Sequence, residues 1–237
     1  MRASRESVAL AQEIGRPFAL TDALLWDGDL HRLLGDVEVA RERAEAVIAL
    51  ATEHGFYLYA VFGMLQRGGA VTDGGQIEAG ITEVRGALDV LRAAGNELFR
   101  PYWTGILAGA YGQAGQPAQG VALIEEAVEC MNRTGQRLVE AVLQRMKGDL
   151  LLAVSRDTHA EAEDCFRHAV DCARRQSAKS WELRAALSLS RLWRGQGKHE
   201  DARALLAEIY GWFTEGFETR DLRAAKALLD ELSQGMC

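Results

Sequence analysis

Proline is nearly missing from this 237-residue chain, which has 3 in all, and aromatic residues make up only 7%. So few helix breakers argue against turn-rich and collagen-like classes and favour long uninterrupted helices. Cysteine is sparse too: Cys130, Cys165, Cys172 and Cys237 stand at irregular spacing, which builds no disulfide framework and suits buried thiols of a reducing compartment. No apolar run approaches the roughly 18 to 20 residues that cross a bilayer. Glu6 and Glu13 lie where a signal peptide would be uncharged, so the expected location is cytoplasmic, with no membrane partner. An excess of positive charge is also lacking. The 27 basic and 34 acidic residues are mixed along the chain for a net charge of -7, with no basic stripe to neutralise phosphates, and nucleic acid is not expected as a direct ligand.

Reaction chemistry is missing in the same way. The Gly197-Lys198 pair has Leu192 where a phosphate-cradling loop needs its first glycine, and His199 where it needs Ser or Thr. Gly195 and Gly197 begin a dinucleotide fingerprint, but Glu200 takes the place of the third glycine and no strand precedes it. His199 and Glu200 are followed by Arg203 where a metalloprotease helix has its second histidine. Cys165, His168 and Cys172 could share a helix face, with Cys130 one repeat earlier, yet structural zinc ligands come in tighter pairs and buried cysteine is ordinary core filler. The five histidines are scattered. The expectation is a chain without catalytic residues, cofactor or metal.

What the sequence does have is periodic glycine. Gly15, Gly55, Gly95 and Gly135 recur every 40 residues, and Gly35, Gly75 and Gly115 fall midway between them. Glycine ends helices in the left-handed conformation, so the two series mark the stops of two alternating helices per repeat. Small residues recur in step where helix A of each hairpin would cross helix B, at Gly28, Gly68, Ala108, Gly148 and Ser190 on A and at Ala40, Gly80, Gly120, Ala162 and Ala202 on B. Four and seven residues further along B come Ala44 and Val47, Val84 and Ala87, Ile124 and Ala127, Phe166 and Ala169, and Leu206 and Ile209. Such offsets define one inward face.

The pattern predicts an all-α fold, an α-α superhelix of the tetratricopeptide (TPR) type, as one domain over residues 1–237. Its units are a partial one at 1–15, hairpins at 18–55, 57–95, 98–135, 138–177 and 180–215, and a capping helix at 221–234. Helices are expected at 3–14, 18–34, 37–54, 57–73, 76–94, 98–114, 117–134, 138–154, 159–176, 180–195, 199–215 and 221–234, with Pro101 as a reason to move the sixth start to about Arg100, Pro117 in a first turn and Asp36, Thr158 and Asp221 as caps. The segment Ser155 to His159 lengthens the later repeats. The first helix has no A partner of its own, which suggests an array continuing upstream, or self-association through its apolar side at Ala3, Leu10 and Ile14.

The segment WELRAALSLSRLWRGQGKHEDARALLAEIYGWFTEGFETRDLRAAKALLDEL, from Trp181 to Leu232, resembles the C-terminal end of bacterial multidomain regulators. In these a cyclase or LuxR-type DNA-binding domain is joined to a signalling ATPase module and then to a TPR-like array. LFRPYWTGILAGAYGQAGQPAQGVALIEEAVE, from Leu98 to Glu129, is similar to an earlier unit of such an array. The resemblance implies a sensor or coupling arm, not cyclase or ATPase activity in this chain.

Binding in such an array falls on the A helices. The candidate groove residues are Asp22, Asp29, Phe62, Tyr102, Arg145, Asp149, Arg184, Arg191 and Arg194, acidic towards the N-terminal end, where Asp73 adds to them, and basic towards the C-terminal end. Trp26, Trp103 and Trp181 are expected in hairpin cores because they fall in apolar stretches at helical spacing. The partner expected is a protein or peptide, or upstream domains of the same polypeptide, with a small-molecule effector of a transcriptional regulator as the alternative.

Overall fold

Seven of the periodic glycines do what their spacing requires. Gly15, Gly35, Gly55, Gly75, Gly95, Gly115 and Gly135 all carry positive φ, between 64° and 89°, in the computed structural model, which describes residues 2–234. At Gly35 the reversal is closed by backbone alone: its N–H donates to the Arg32 carbonyl at 3.1 Å, and that of Asp36 to the His31 carbonyl at 2.9 Å. Two repeat positions depart from glycine, Ser155 in extended backbone with φ -162° and Ser177. Ser177, with φ 55°, ends the helix before the last hairpin.

Among the described residues there are twelve α-helices, two tight 3₁₀ turns and no strand. The helices are α1 (Arg2–Ile14), α2 (Pro17–Leu34), α3 (Val37–His54), α4 (Tyr57–Asp73), α5 (Ile77–Ala93), α6 (Arg100–Gln113), α7 (Pro117–Thr134), α8 (Glu140–Val154), α9 (His159–Arg175), α10 (Lys179–Gly195), α11 (His199–Tyr210) and α12 (Arg220–Gln234). The chain divides into two compact units, Met1–Gly115 with α1 to α6 and Gln116–Cys237 with α7 to α12. Cys237 lies outside the described residues.

Both units are built alike. In the first, each helix packs on the next in sequence, and along the row α2, α4, α6 each also touches its neighbour. In the second, α8, α10 and α12 do the same. These A helices form one layer of each stack, and α1, α3 and α5, or α7, α9 and α11, form the B layer. Close crossing depends on the small residues. A β-carbon on Gly68 would lie 2.7 Å from Val84 Cγ2, and one on Gly148 would lie 2.5 Å from the Phe166 ring. At the last crossing the small residue is polar and satisfied, with Ser190 Oγ donating to the Ala202 carbonyl at 3.1 Å. The inward B-face residues Ala44, Val47, Val84, Ala87, Ile124, Ala127, Phe166, Ala169, Leu206 and Ile209 are all buried. This is a TPR-like helical repeat fold.

Several local expectations are corrected. Helix α6 starts at Arg100 rather than 98, because Asn96 Oδ1 accepts the Leu98 N–H at 2.9 Å and Phe99 turns left-handed. A 3₁₀ turn at Arg137–Val139 occupies the expected first residues of α8, and α11 stops at Tyr210, where tight turns begin. Asp36 does not cap α3: its carboxylate sits 3.0 Å from His31 Nδ1 instead. Thr158 Oγ1 donates back to the Leu151 and Ser155 carbonyls, at 2.5 and 2.7 Å, and so caps nothing ahead of it. Asp221 falls inside the first turn of α12 and pairs with Arg184.

The two ends differ. Helix α12 buries Leu222, Ala225, Leu228 and Leu232 and turns Arg223, Lys226 and Asp230 outward. Helix α1 buries only Ala11, leaving Leu10 and Ile14 more than half exposed.

Candidate partner-binding surface

On α2 the residues Asp22, Trp26 and Asp29 follow at offsets of four and three and so share one helix face. Asp22 accepts a hydrogen bond from the Tyr59 hydroxyl of α4 at 2.8 Å. Burial and the Asp22 carboxylate together push the Tyr59 phenol up to about 12. Trp26 is 51% exposed, which corrects its expected place in a hairpin core, whereas Trp103 is buried and Trp181 half-buried. The Trp26 ring stands edge-on to Phe99 at 5.9 Å, and Phe99 in turn lies 6.0 Å from the buried Phe62. Three successive A-helix repeats thus contribute one ring each. Phe99 holds φ 55°, a conformation that costs a non-glycine residue roughly 1 to 2 kcal/mol, and its ring contacts are what that backbone delivers.

Beside the rings runs a polar cluster centred on Arg32. This side chain leaves α2, passes over Gly69 of α4, where a β-carbon would touch its Cδ at 3.4 Å, and reaches α6. There it donates to the Tyr102 hydroxyl and lies over the Tyr102 and Trp103 rings at 5.8 and 5.5 Å. Its Nη1 is 3.4 Å from Asp73 Oδ2, and its Nε is 3.9 Å from Asp29 Oδ1, too far for a hydrogen bond. Three buried atoms of this cluster have no hydrogen-bond partner: Asp29 Oδ1, Arg32 Nε and Gln66 Oε1. Burial raises the Asp29 carboxyl above the usual carboxylate range, against the opposing pull of Arg32 and the Gln66 amide.

The second unit carries the basic candidates, and most are engaged. Arg145 pairs with Asp149 one turn along α8. Burial raises the Asp149 carboxyl, while Arg145, Ser188 and Arg191 draw it the other way. Arg184 lies over the Trp181 ring at 5.0 Å and holds Asp221 of α12 at 2.5 Å, and Arg194 pairs with Glu231 of the same helix. Both therefore brace the terminal helix. Arg191 is exposed on α10. Among the described residues no group of three or more His, Cys, Asp or Glu side chains is arranged to hold a metal ion.

The structure thus brings Asp22, Asp29, Phe62 and Tyr102 to one side of the first unit, and Arg145, Asp149 and Arg191 to one region of the second. Sequence reasoning missed Trp26, Arg32, Gln66 and Phe99. Trp26 was legible as the residue between two candidate aspartates on one face. Arg32 was not, since its partners lie 41 and 70 residues away.

No family model matches the chain, and no curated protein does. Among solved structures it is similar to two crystal structures of nearly identical TPR-like repeats from a kinesin light chain-type protein of Podosopora anserina, one of them a point variant. The variant is 18% identical with a TM-score of 0.55, covering 80% of this chain and 92% of that one. The other is 18% identical with a TM-score of 0.55, covering 83% and 95%. At that identity the likeness concerns the fold alone. The chain therefore has a TPR-like helical repeat fold.

Proposed function

We propose that the chain is a non-enzymatic docking module, the sensor or coupling arm of a bacterial signalling protein of the cyclase or ATPase type. The observation that carries the docking reading is the half-exposed Trp26, set against Phe99 and Phe62 and flanked by Asp22 and Asp29 on the A-helix side of the first unit. Exposed aromatic rings held rigid by neighbours supply contact area at low entropic cost, which is how a few residues come to dominate an interface. The signalling context rests on the resemblance of Trp181 to Leu232 to the tails of such regulators.

Selection of a displayed random 12-residue peptide library on the full chain tests docking. Enriched sequences whose binding falls in Trp26→Leu support it, and a selection that enriches nothing overturns it. The reading frame upstream of residue 1 tests the context, with an ATPase or cyclase domain as the expected finding and its absence as the contrary one.

A small-molecule effector is the second reading, favoured by the three enclosed unpartnered atoms around Arg32. A ligand that binds only the folded state raises the melting temperature as its concentration passes Kd. Metabolite-dependent stabilisation lost in Arg32→Gln, together with a failed peptide selection, would replace docking by sensing.

A further inference from the structure

Resting on the docking reading, we infer that the first unit takes a basic side chain from its partner, an arginine or lysine whose cation lies between the Asp29 carboxylate and the Trp26 ring.

The charges on this face do not balance. Asp29 and Asp73 share one cation, Arg32, and Asp22 meets the Tyr59 hydroxyl, while Glu97 pairs with Arg100 near Phe99 at 2.9 Å. Arg32 is already committed to the Tyr102 hydroxyl, to Asp73 and to two rings. Asp22 has the Tyr59 hydroxyl. Asp29 is the carboxylate left short. It stands 3.9 Å from Arg32 Nε and its enclosed Oδ1 has no hydrogen-bond partner, while 21% of the side chain remains exposed to an approaching cation. An enclosed carboxylate with incomplete compensation is stabilised by an added cation more than an exposed one is, because less water competes for it.

Trp26 supplies the second half of the recognition. It precedes Asp29 by one helical turn, and the indole face attracts guanidinium and ammonium groups more strongly than other aromatic side chains do. Its edge-on contact with Phe99 fixes the ring and leaves half of it open. An acidic side chain here would meet three carboxylates. An apolar one would cover Asp29 without compensating it.

The test uses the peptides enriched on the full chain. They are expected to carry arginine or lysine well above the frequency of the starting library, and a synthetic peptide of the enriched sequence should bind at least tenfold more weakly to Asp29→Asn and to Trp26→Leu. Asp29→Glu should retain most of the affinity, Arg203→Gln, exposed on α11 of the second unit, should change nothing, and raising salt should weaken binding. Thermal melts of each variant establish that it is folded. Enriched peptides that are acidic or uncharged, or that bind Asp29→Asn as tightly as the parent, overturn the inference while leaving docking intact. A selection that enriches nothing overturns both.

Discussion

At Gly80 an added β-carbon would lie 2.0 Å from the Thr72 hydroxyl and 2.7 Å from the Gly68 carbonyl, so the α4–α5 crossing has no space for a methyl group. Six residues on, in the same helix, Gly86 has nothing within 4 Å. The two glycines should therefore respond oppositely in urea unfolding. Gly80→Ala is expected to cost about 3 kcal/mol, an overpacking penalty at the high end because backbone has to move. Gly86→Ala should gain about 0.5 to 1 kcal/mol from helix propensity.

Glu163 makes a second residue-scale case. Burial works to raise its carboxyl, but the Trp193 indole, Arg167 and Lys198 outweigh it and hold the group near 2, from an ordinary 4.5. A carboxyl depressed on folding contributes stability above its unfolded value and loses it as pH falls through the folded one. Glu163→Gln should thus lower stability at pH 7 by on the order of 2 kcal/mol, and the gap from the parent should close between pH 4.5 and pH 2 in parallel melts. A gap independent of pH would assign the effect to packing.

Among the elements, α12 separates apolar from ionic stabilisation. Leu228 is buried against the last hairpin, and its truncation to alanine should cost roughly 2 to 4 kcal/mol. Arg194 pairs with Glu231 on the same helix, but both side chains are about half exposed, and Arg194→Ala should cost less than about 1 kcal/mol. Comparable losses in calorimetry would count against this ranking. The elements were also the most legible part of the sequence, because glycine stops and small crossing residues are local signals with one physical meaning. The legible part ended where side chains compete for the backbone. Asp36 and Thr158 have cap chemistry, but His31 and the preceding carbonyls claim them first. The start of α6 moved for a similar reason, as Asn96 and the left-handed Phe99 unwind the turn that Leu98 would have joined.

For the molecule as a whole, stacked hairpins make stability a sum of neighbouring interfaces. Damage at one crossing should then stay near it. Hydrogen exchange on Gly80→Ala is expected to show lost protection in α4 and α5 while α9 to α11 keep theirs; a uniform loss would mean that the array unfolds as one block. The candidate surface was less legible than the fold because it is assembled at this scale. A period of 40 places Asp22, Phe62 and Tyr102 at equivalent sites, yet it says nothing of Arg32, whose hydrogen-bond and ring partners come from two further repeats. Nor does it foresee that Arg184 and Arg194 are committed to α12.

Arrays of this kind are often thought of as strings of interchangeable modules, shortened or lengthened by whole repeats. The span of Arg32 across Gly69 breaks that freedom here. Cutting out the hairpin of α4 and α5 would preserve the phase of every remaining helix but remove Asp73, and it would bring Tyr102 one repeat too close for the guanidinium to meet it as it now does. The first three repeats are in this sense a single inheritable cassette, and a shuffled or consensus version of the chain has to keep their order to keep the face they make.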